Sequence, residues 1–168
     1  MTPDRHLTLP AEPDSSVSRT AGHVLPARHL PDPPAQKDVA LRLYAVGEGA
    51  RLARHLVRSV MATWPAPCDT DTAVTVTGEL FANACAATPG RPVWIRVSWH
   101  QDGALVSCWD SNPACPAEPS LPADLLNETG RGMYLIHTLS LAHGIIPETR
   151  DSITGKSVWS LVPTHRSS

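Results

Sequence analysis

The sequence lacks any long apolar run and any excess of positive charge. No stretch approaches the roughly 20 apolar residues that a membrane-spanning helix needs, and residues 1–16 lack the basic and then apolar order of a secretory signal peptide. Its 14 lysines and arginines stand against 16 acidic residues, a formal net charge of −2, so the attraction to phosphate backbones on which nucleic-acid-binding proteins depend is missing. We therefore expect a cytoplasmic protein whose main partner is neither a membrane nor a nucleic acid.

Cysteine is also scarce, and its spacing does not suit a metal. The four cysteines form no C-x-x-C pair and have no histidine at zinc-finger spacing, which argues against a metal cluster or a disulfide framework. Cys85 and Cys108 lie within apolar segments and are expected to pack as small hydrophobic side chains. Cys115 lies in a proline-rich loop and is the thiol that we would test for reactivity.

The first 40 residues show neither helical nor strand periodicity. They contain seven of the 17 prolines and no aromatic residue, which is typical of a segment that cannot bury a core. The whole chain of 168 residues, 42% of them hydrophobic, fits one folded domain with a tail. We expect a disordered tail over 1–40, one domain over 41–164 and a short C-terminal tail over 165–168. A docking peptide for a partner is the alternative for the first segment.

Two helical segments come next. Four apolar residues recur at helical spacing within 48–64 and predict the buried face of an amphipathic helix: Leu52, Leu56, Val60 and Met61. The prolines at 65 and 67 end this helix. A second helix is predicted from a cap at Asp69 or Asp71 to the breaker formed by Pro89 and Gly90.

The hydrophobic period then changes to two. Alternating apolar residues over 93–99, a turn at Asp102 and Gly103, and an apolar run over 104–109 predict a β-hairpin with one buried face. A proline-rich loop, a third helix and two short strands ending in KSVWSLVP follow. Because the strands are grouped and the helices lie between the groups, we predict an α+β fold. Its architecture is a two-layer sandwich of a mixed or antiparallel sheet with helices on one face.

An acid and an amide lie one turn apart on the second helix. Glu79 and Asn83 are four residues apart, so both side chains project from the same face. An amide oxygen is a hard ligand for Mg²⁺, and a carboxylate can orient or deprotonate a hydroxyl that attacks a phosphate. Taken alone, the pair also fits a solvated polar pair on a helix surface.

Three further segments carry polar groups that suit a nucleotide. Asp110 ends the second strand of the hairpin, where it can accept a hydrogen bond from an exocyclic amine or simply begin a turn. Gly130 and Gly132 flank Arg131 and lead into a helix, so free backbone N–H groups and a helix N-terminus can face a phosphate. Gly155, Lys156 and Ser157 open the last strand, where a hydroxyl or an ammonium can reach the same ligand; taken alone, these three residues fit a simple exposed turn.

Four motifs occur in the order found in a known family. GELFANACAAT at 78–88 resembles the N-box, and CWDSNP at 108–113 resembles the adenine-binding aspartate motif of histidine-kinase-like (GHKL) ATPases. TGRGMYLIHTLS at 129–140 resembles their G-x-G lid motif, and TGKSVWSLVP at 154–163 their last strand motif. In particular, the motifs resemble those of the short ATP-binding regulators of actinomycetes and of the anti-sigma-factor serine kinases, over about residues 45 to 163.

The resemblance implies a role for each matched position. It makes Glu79 the general base, Asn83 the Mg²⁺ ligand and Asp110 the contact to the adenine of ATP, under a mobile lid over 111–130. The other nucleotide-binding positions that it implies are Gly130 and Gly132 as lid glycines, Arg131 beside the phosphates, Met133, and Ser157 near the adenine.

The resemblance also implies a function and its partners. The expected protein is a serine/threonine protein kinase and anti-sigma factor that phosphorylates a STAS-type anti-sigma-factor antagonist, sequesters a sigma factor, and forms a homodimer. Small residues at Ala82 and at 85–87 replace polar and basic positions of the family, which puts the phosphate contacts in question. A non-catalytic, ATP-responsive interaction module is therefore the alternative, and the ATPase part of a split signalling kinase is a third possibility.

Overall fold

The computed structural model describes residues 23–24, 38–64, 69–100, 102–115 and 128–163. These residues form three helices and six strands. In chain order the elements are β1 (His23–Val24), β2 (Asp38–Tyr44), α1 (Gly47–Met61), α2 (Thr70–Ala87), β3 (Pro92–His100), β4 (Gly103–Asp110), α3 (Glu128–Leu139), β5 (Ala142–Arg150) and β6 (Ile153–Pro163).

The strands form one sheet in the order β1-β5-β6-β4-β3-β2. Every pair is antiparallel except β1 with β5, which is parallel. The helices pack on the sheet face that carries Val93, Ile95 and Val97, and together they enclose the main hydrophobic core. The predicted α+β fold with helices on one face of the sheet is confirmed. No helix in the described part of the chain is both long and apolar enough to span a membrane.

The N-terminal region contains strands that the sequence analysis missed. β1 lies within residues 1–40, and β2 begins at Asp38, three positions before the expected start of the domain. In β2 the apolar residues Val39, Leu41 and Leu43 alternate with other residues, a period-two signal that stands directly beside the proline-rich segment. The remaining residues of 1–40, and the expected tail at 165–168, lie outside the described residues.

Helix α1 buries a different face from the one predicted. Its buried residues are Gly49, Ala53, Val57 and Met61. Leu52 is 46% exposed, and Leu56 and Val60 are only partly buried, so only Met61 of the predicted face is buried. At Gly49 α1 lies close to the Phe81 ring of α2, and this contact turns the face that carries Gly49 and Ala53 inward, together with Val57 and Met61.

Helix α2 is held at both ends as predicted. Asp69 is the N-cap, and its Oδ1 accepts the backbone N–H of Thr72 at 3.0 Å. After the C-cap Thr88, Gly90 adopts a φ of 71°, which glycine tolerates. The helix contacts α1, α3, β4 and β6, and its position therefore fixes where Glu79 lies.

The β3–β4 hairpin is buried more completely than predicted. Asp102 lies in the turn and Gly103 begins β4, as expected. Every residue of β4 is buried, however, because a second small core forms on the sheet face away from the helices. Its members are Leu105, Ala142, Trp159 and Leu161.

Buried polar groups attach the C-terminal end of α3 to the sheet. The Oγ atoms of Ser140 and Ser160 are 2.6 Å apart, and the rings of His137 and His143 meet edge to face at 5.1 Å. Burial lowers the pKa of His143, and the neighbouring His137 lowers it further. With this end anchored, the first turns of α3 are presented to α2.

We expect Gly49→Ala to destabilise the protein, although alanine is normally the better helix former. A Cβ at this position would lie 2.5 Å from both the Phe81 ring and the Tyr44 carbonyl oxygen, so the substitution should cost about 1–3 kcal/mol of unfolding free energy. Gly47→Ala is the matched control, since nothing lies within 4 Å of its Cβ position. Urea unfolding measures both variants, and equal stabilities would contradict this account of the α1–α2 contact.

Candidate functional site

The structure brings the acid and the amide of α2 against the glycine-containing part of α3. A Cβ on Gly132 would lie 2.6 Å from Glu79 Oε2 and 3.7 Å from Asn83 Oδ1. Only a residue without a side chain leaves both groups in place there. Glu79, Asn83 and Gly132, which are far apart in the sequence, thus form one cluster as the sequence analysis expected.

Asn83 is oriented by the residue that follows Gly132. Its Nδ2 donates to the Met133 sulfur at 3.2 Å, so the amide nitrogen is engaged and Oδ1 faces Gly132. Asn83 and Glu79 are both partly exposed. A carboxylate and an amide oxygen on adjacent turns are the hard oxygen donors that Mg²⁺ prefers.

The G-x-G segment lies inside α3 rather than before it. The helix begins at Glu128, so Gly130, Arg131 and Gly132 all have helical backbone. The four N–H groups at the start of a helix have no intrahelical acceptor, and here they belong to residues 128–131, which include Gly130 but not Gly132. Arg131 is exposed. The sequence analysis placed the glycines before the helix, whereas the helix includes them. Most of the predicted lid over 111–130, its residues 116–127, lies outside the described residues.

Asp110 is buried at the end of β4 in an ion pair. It is 2% exposed, and its Oδ1 accepts hydrogen bonds from Lys156 Nζ at 2.8 Å and from the backbone N–H of Asn112 at 2.9 Å. Lys156 is itself 3% exposed and also donates to the Asn112 carbonyl oxygen at 2.8 Å. The hypothesis that residues 155–157 form an exposed turn is wrong, because all three residues are buried in β6.

Ser157 lies on the opposite side of the sheet from Asp110. The register pairs Asp110 with Lys156 and places Ser157 opposite Trp109, and successive side chains of a strand point to opposite faces. The Ser157 hydroxyl donates to the Glu148 carboxylate on β5. The structure therefore does not bring Ser157 to Asp110, and the residue that does reach it is the lysine one position earlier.

Gly155 lets β4 and β6 approach closely beside Asp110. A Cβ on Gly155 would lie 2.1 Å from the Asp110 carbonyl oxygen and 2.9 Å from the Trp109 ring. A larger residue would push apart the two strands that carry Asp110 and Lys156. Strand packing therefore explains why a glycine stands at this position of the last motif, and the sequence alone does not indicate this.

The cysteines near the site are packing residues. Cys108 is free and fully buried, two positions before Asp110 on the helix-facing side of β4. Burial raises the pKa of its thiol, and the negative charge of Asp110 raises it further. Burial also raises the pKa of Cys85 on α2. The expectation that these two cysteines pack as small hydrophobic groups is confirmed, and Cys115 is an exposed free thiol.

A comparison with family models finds one match that covers most of the chain. The model described as the histidine kinase-like ATPase domain matches residues 45–158 of 168. The matched range includes Glu79, Asn83, Asp110, Gly132 and Lys156. The comparison with curated proteins finds no match.

We expect Gly132→Ala to move the site groups while preserving the fold. The new Cβ would meet the end of the flexible Glu79 side chain, which can rotate away, so the free energy of unfolding should change by no more than about 1 kcal/mol. The Asn83 side-chain NH₂ resonances, recorded by ¹⁵N correlation spectroscopy, should shift. Gly78→Ala is the control, since its Cβ would meet only the Arg54 side chain, at 3.2 Å. Unshifted Asn83 resonances in Gly132→Ala would contradict the proximity of these groups.

Proposed function

The chain belongs to the histidine kinase-like ATPase family, as the match over residues 45–158 shows, and from that premise we propose that it is a serine/threonine protein kinase and anti-sigma factor. Family membership implies an ATP-binding regulatory protein. The proposed substrate is a serine on a STAS-type anti-sigma-factor antagonist, and the proposed second partner is a sigma factor that the chain holds when the antagonist is absent. We also propose a cytoplasmic location and a homodimer.

One observation carries the kinase proposal: Glu79 and Asn83 meet Gly132 at the glycine-containing start of α3. In a phosphoryl-transfer site a carboxylate, a hard oxygen ligand and backbone N–H groups must converge on one point. Glu79 supplies the carboxylate and Asn83 the hard oxygen, both beside Gly132, and we assign the backbone N–H groups to the first turn of α3. ATP bound with its phosphates at this point would have its base on the side of the sheet that carries Asp110.

The proposed roles follow from the donor set. Asn83 Oδ1 would hold Mg²⁺, which neutralises the phosphate charge when it is bound. The start of α3 and Arg131 would face the phosphates. Glu79 would accept the proton of the substrate serine while the serine oxygen forms its bond to the γ-phosphorus and the β–γ bridging bond breaks to release ADP. Catalysis here is mainly positioning and charge neutralisation.

Asp110 is the proposed contact to the nucleobase. Its carboxylate is buried and fixed on the helix-facing side of the sheet, where a hydrogen bond to a charged group contributes about 1.5–3 kcal/mol. Met133, whose sulfur contacts Asn83, lies between the phosphate side and the core and is a proposed lining residue.

A non-catalytic ATP-responsive module is the second candidate, and the surface of α2 favours it. Ala82 and Ala86, which stand in the region of the family's polar and basic positions, are exposed and bring no charge to the phosphates. In that case the binding of a nucleotide would change the affinity of this protein for a partner protein, and no phosphoryl group would be transferred. The two candidates share the nucleotide site and differ in whether Glu79 takes part in chemistry.

We expect Asp110→Asn to weaken ATP binding by roughly ten- to a hundredfold, the equivalent of one charged hydrogen bond. The variant also leaves the Lys156 ammonium buried without its counter-charge, so the fold should lose about 3–5 kcal/mol, and folding must be checked by circular dichroism. Calorimetric titration with Mg²⁺ and ATP measures the affinity. Asp102→Asn, in the exposed β3–β4 turn, is the control. Unchanged affinity in folded Asp110→Asn would remove the nucleobase assignment.

We expect Glu79→Gln to bind ATP normally and to lose at least about a hundredfold in phosphoryl transfer, since general-base catalysis contributes 10²–10⁴-fold. The glutamine keeps the shape beside Gly132 but accepts no proton. The assay follows ³²P from γ-labelled ATP to the serine of purified STAS-type antagonists. Glu48→Gln, exposed in the first turn of α1, is the control. Full transfer by Glu79→Gln would exclude Glu79 as the base, whereas no transfer by the unaltered protein would favour the binding module.

A further inference from the structure

Lys156 is one of only two lysines in the sequence, and it is buried in the candidate site. Its Nζ makes two hydrogen bonds of 2.8 Å, one to Asp110 Oδ1 and one to the carbonyl oxygen of Asn112. An ammonium is rarely buried to 3% exposure without a partner, because desolvation of a charge is costly. Asp110 supplies the counter-charge, and each residue of this ion pair makes the burial of the other possible.

The ion pair occupies only one oxygen of the carboxylate. The Lys156 ammonium and the Asn112 backbone N–H both donate to Oδ1. Within the described ranges no hydrogen bond reaches Oδ2 of Asp110. Two donors on Oδ1 fix the plane of the carboxylate, so Oδ2 keeps a defined direction for a third donor.

The backbone around the pair is rigid as well. The antiparallel register holds Asp110 directly opposite Lys156, and the absence of a Cβ on Gly155 brings the two strands together at this point. The lysine therefore acts from a fixed strand position rather than from a loop. A cation that is fixed in this way can hold a neighbouring side chain in one orientation.

We propose that Lys156 is a positioning residue for nucleobase recognition: it holds Asp110 so that Oδ2 accepts a hydrogen bond from the exocyclic amine of the base. This inference rests on the proposed nucleotide site and adds to it the residue that makes the site selective. The lysine does not contact the phosphates in this role. Loss of Lys156 should therefore reduce discrimination between bases more than it reduces the affinity for the triphosphate.

The test compares two triphosphates that differ only in the amine. ATP carries it, and purine riboside triphosphate has a hydrogen in its place. The unaltered protein should bind ATP ten- to a hundredfold more tightly, as one charged hydrogen bond predicts. In Lys156→Met this preference should fall below threefold, while the affinity for purine riboside triphosphate changes by less than threefold. A structural role alone would lower both affinities together.

Two further variants keep the test decisive. Lys156→Gln retains a neutral donor to Asp110 and should fold even where Lys156→Met does not; its preference for ATP should lie between those of the methionine variant and the unaltered protein. Arg51→Met, exposed on α1, removes a positive charge elsewhere and should leave the preference unchanged. Circular dichroism confirms folding before each titration.

Each result has a distinct meaning. A full preference for ATP in the Lys156 variants would overturn the positioning role, and a stronger preference would mean that the lysine blocks Asp110 instead. Equal binding of both triphosphates by the unaltered protein would overturn the inference together with the nucleobase role of Asp110, while leaving nucleotide binding intact. Failure of the unaltered protein to bind either triphosphate would overturn the proposed function itself.

Discussion

The close approach of α3 to α2 is the constraint on which the site depends. Gly132 lies where a side chain of any size would contact the Glu79 carboxylate, and Asn83 contacts Met133, 50 positions later in the sequence, so α2 and α3 share one polar cluster. Glycine also allows a close contact at Gly49, between α1 and α2, and at Gly155, between β4 and β6. At Gly49 and Gly155 the missing Cβ makes room for a backbone oxygen, and at Gly132 it makes room for the end of the Glu79 side chain. The geometry of the candidate site is thus determined mainly by packing.

Charge is distributed unevenly over the site. On the α2–α3 side the polar groups are partly exposed and available to a ligand that carries phosphates. On the sheet side a buried ammonium and a buried carboxylate neutralise each other. A nucleotide has the complementary division, with a highly charged triphosphate at one end and a neutral base at the other. The neutral buried pair suits the base, since it offers directional hydrogen bonding without net charge.

Much of the fold could be predicted from periodicity, and the failures have physical causes. The second helix and its Asp69 cap follow from local signals that the folded structure preserves. The buried face of α1 does not, because glycine and alanine carry little hydrophobic signal although helix packing selects them. Convergence of Glu79 and Asn83 was predictable from their spacing of four residues. The burial of Lys156 was not predictable, because the local sequence around it is typical of an exposed turn. The lysine becomes buried only when β4, β5 and β6 pair in the sheet.

The two-residue turn at Asp151 and Ser152, both with positive φ, fixes the register of β6 against β5. On its other edge β6 pairs with β4, and that register decides which of two neighbouring side chains meets Asp110. Because Lys156 and Ser157 face opposite sides of the sheet, a substitution at one leaves the chemical surroundings of the other largely unchanged. Natural selection can therefore alter the proposed nucleobase contact and the opposite, buried face of the sheet independently, through adjacent codons of a single strand.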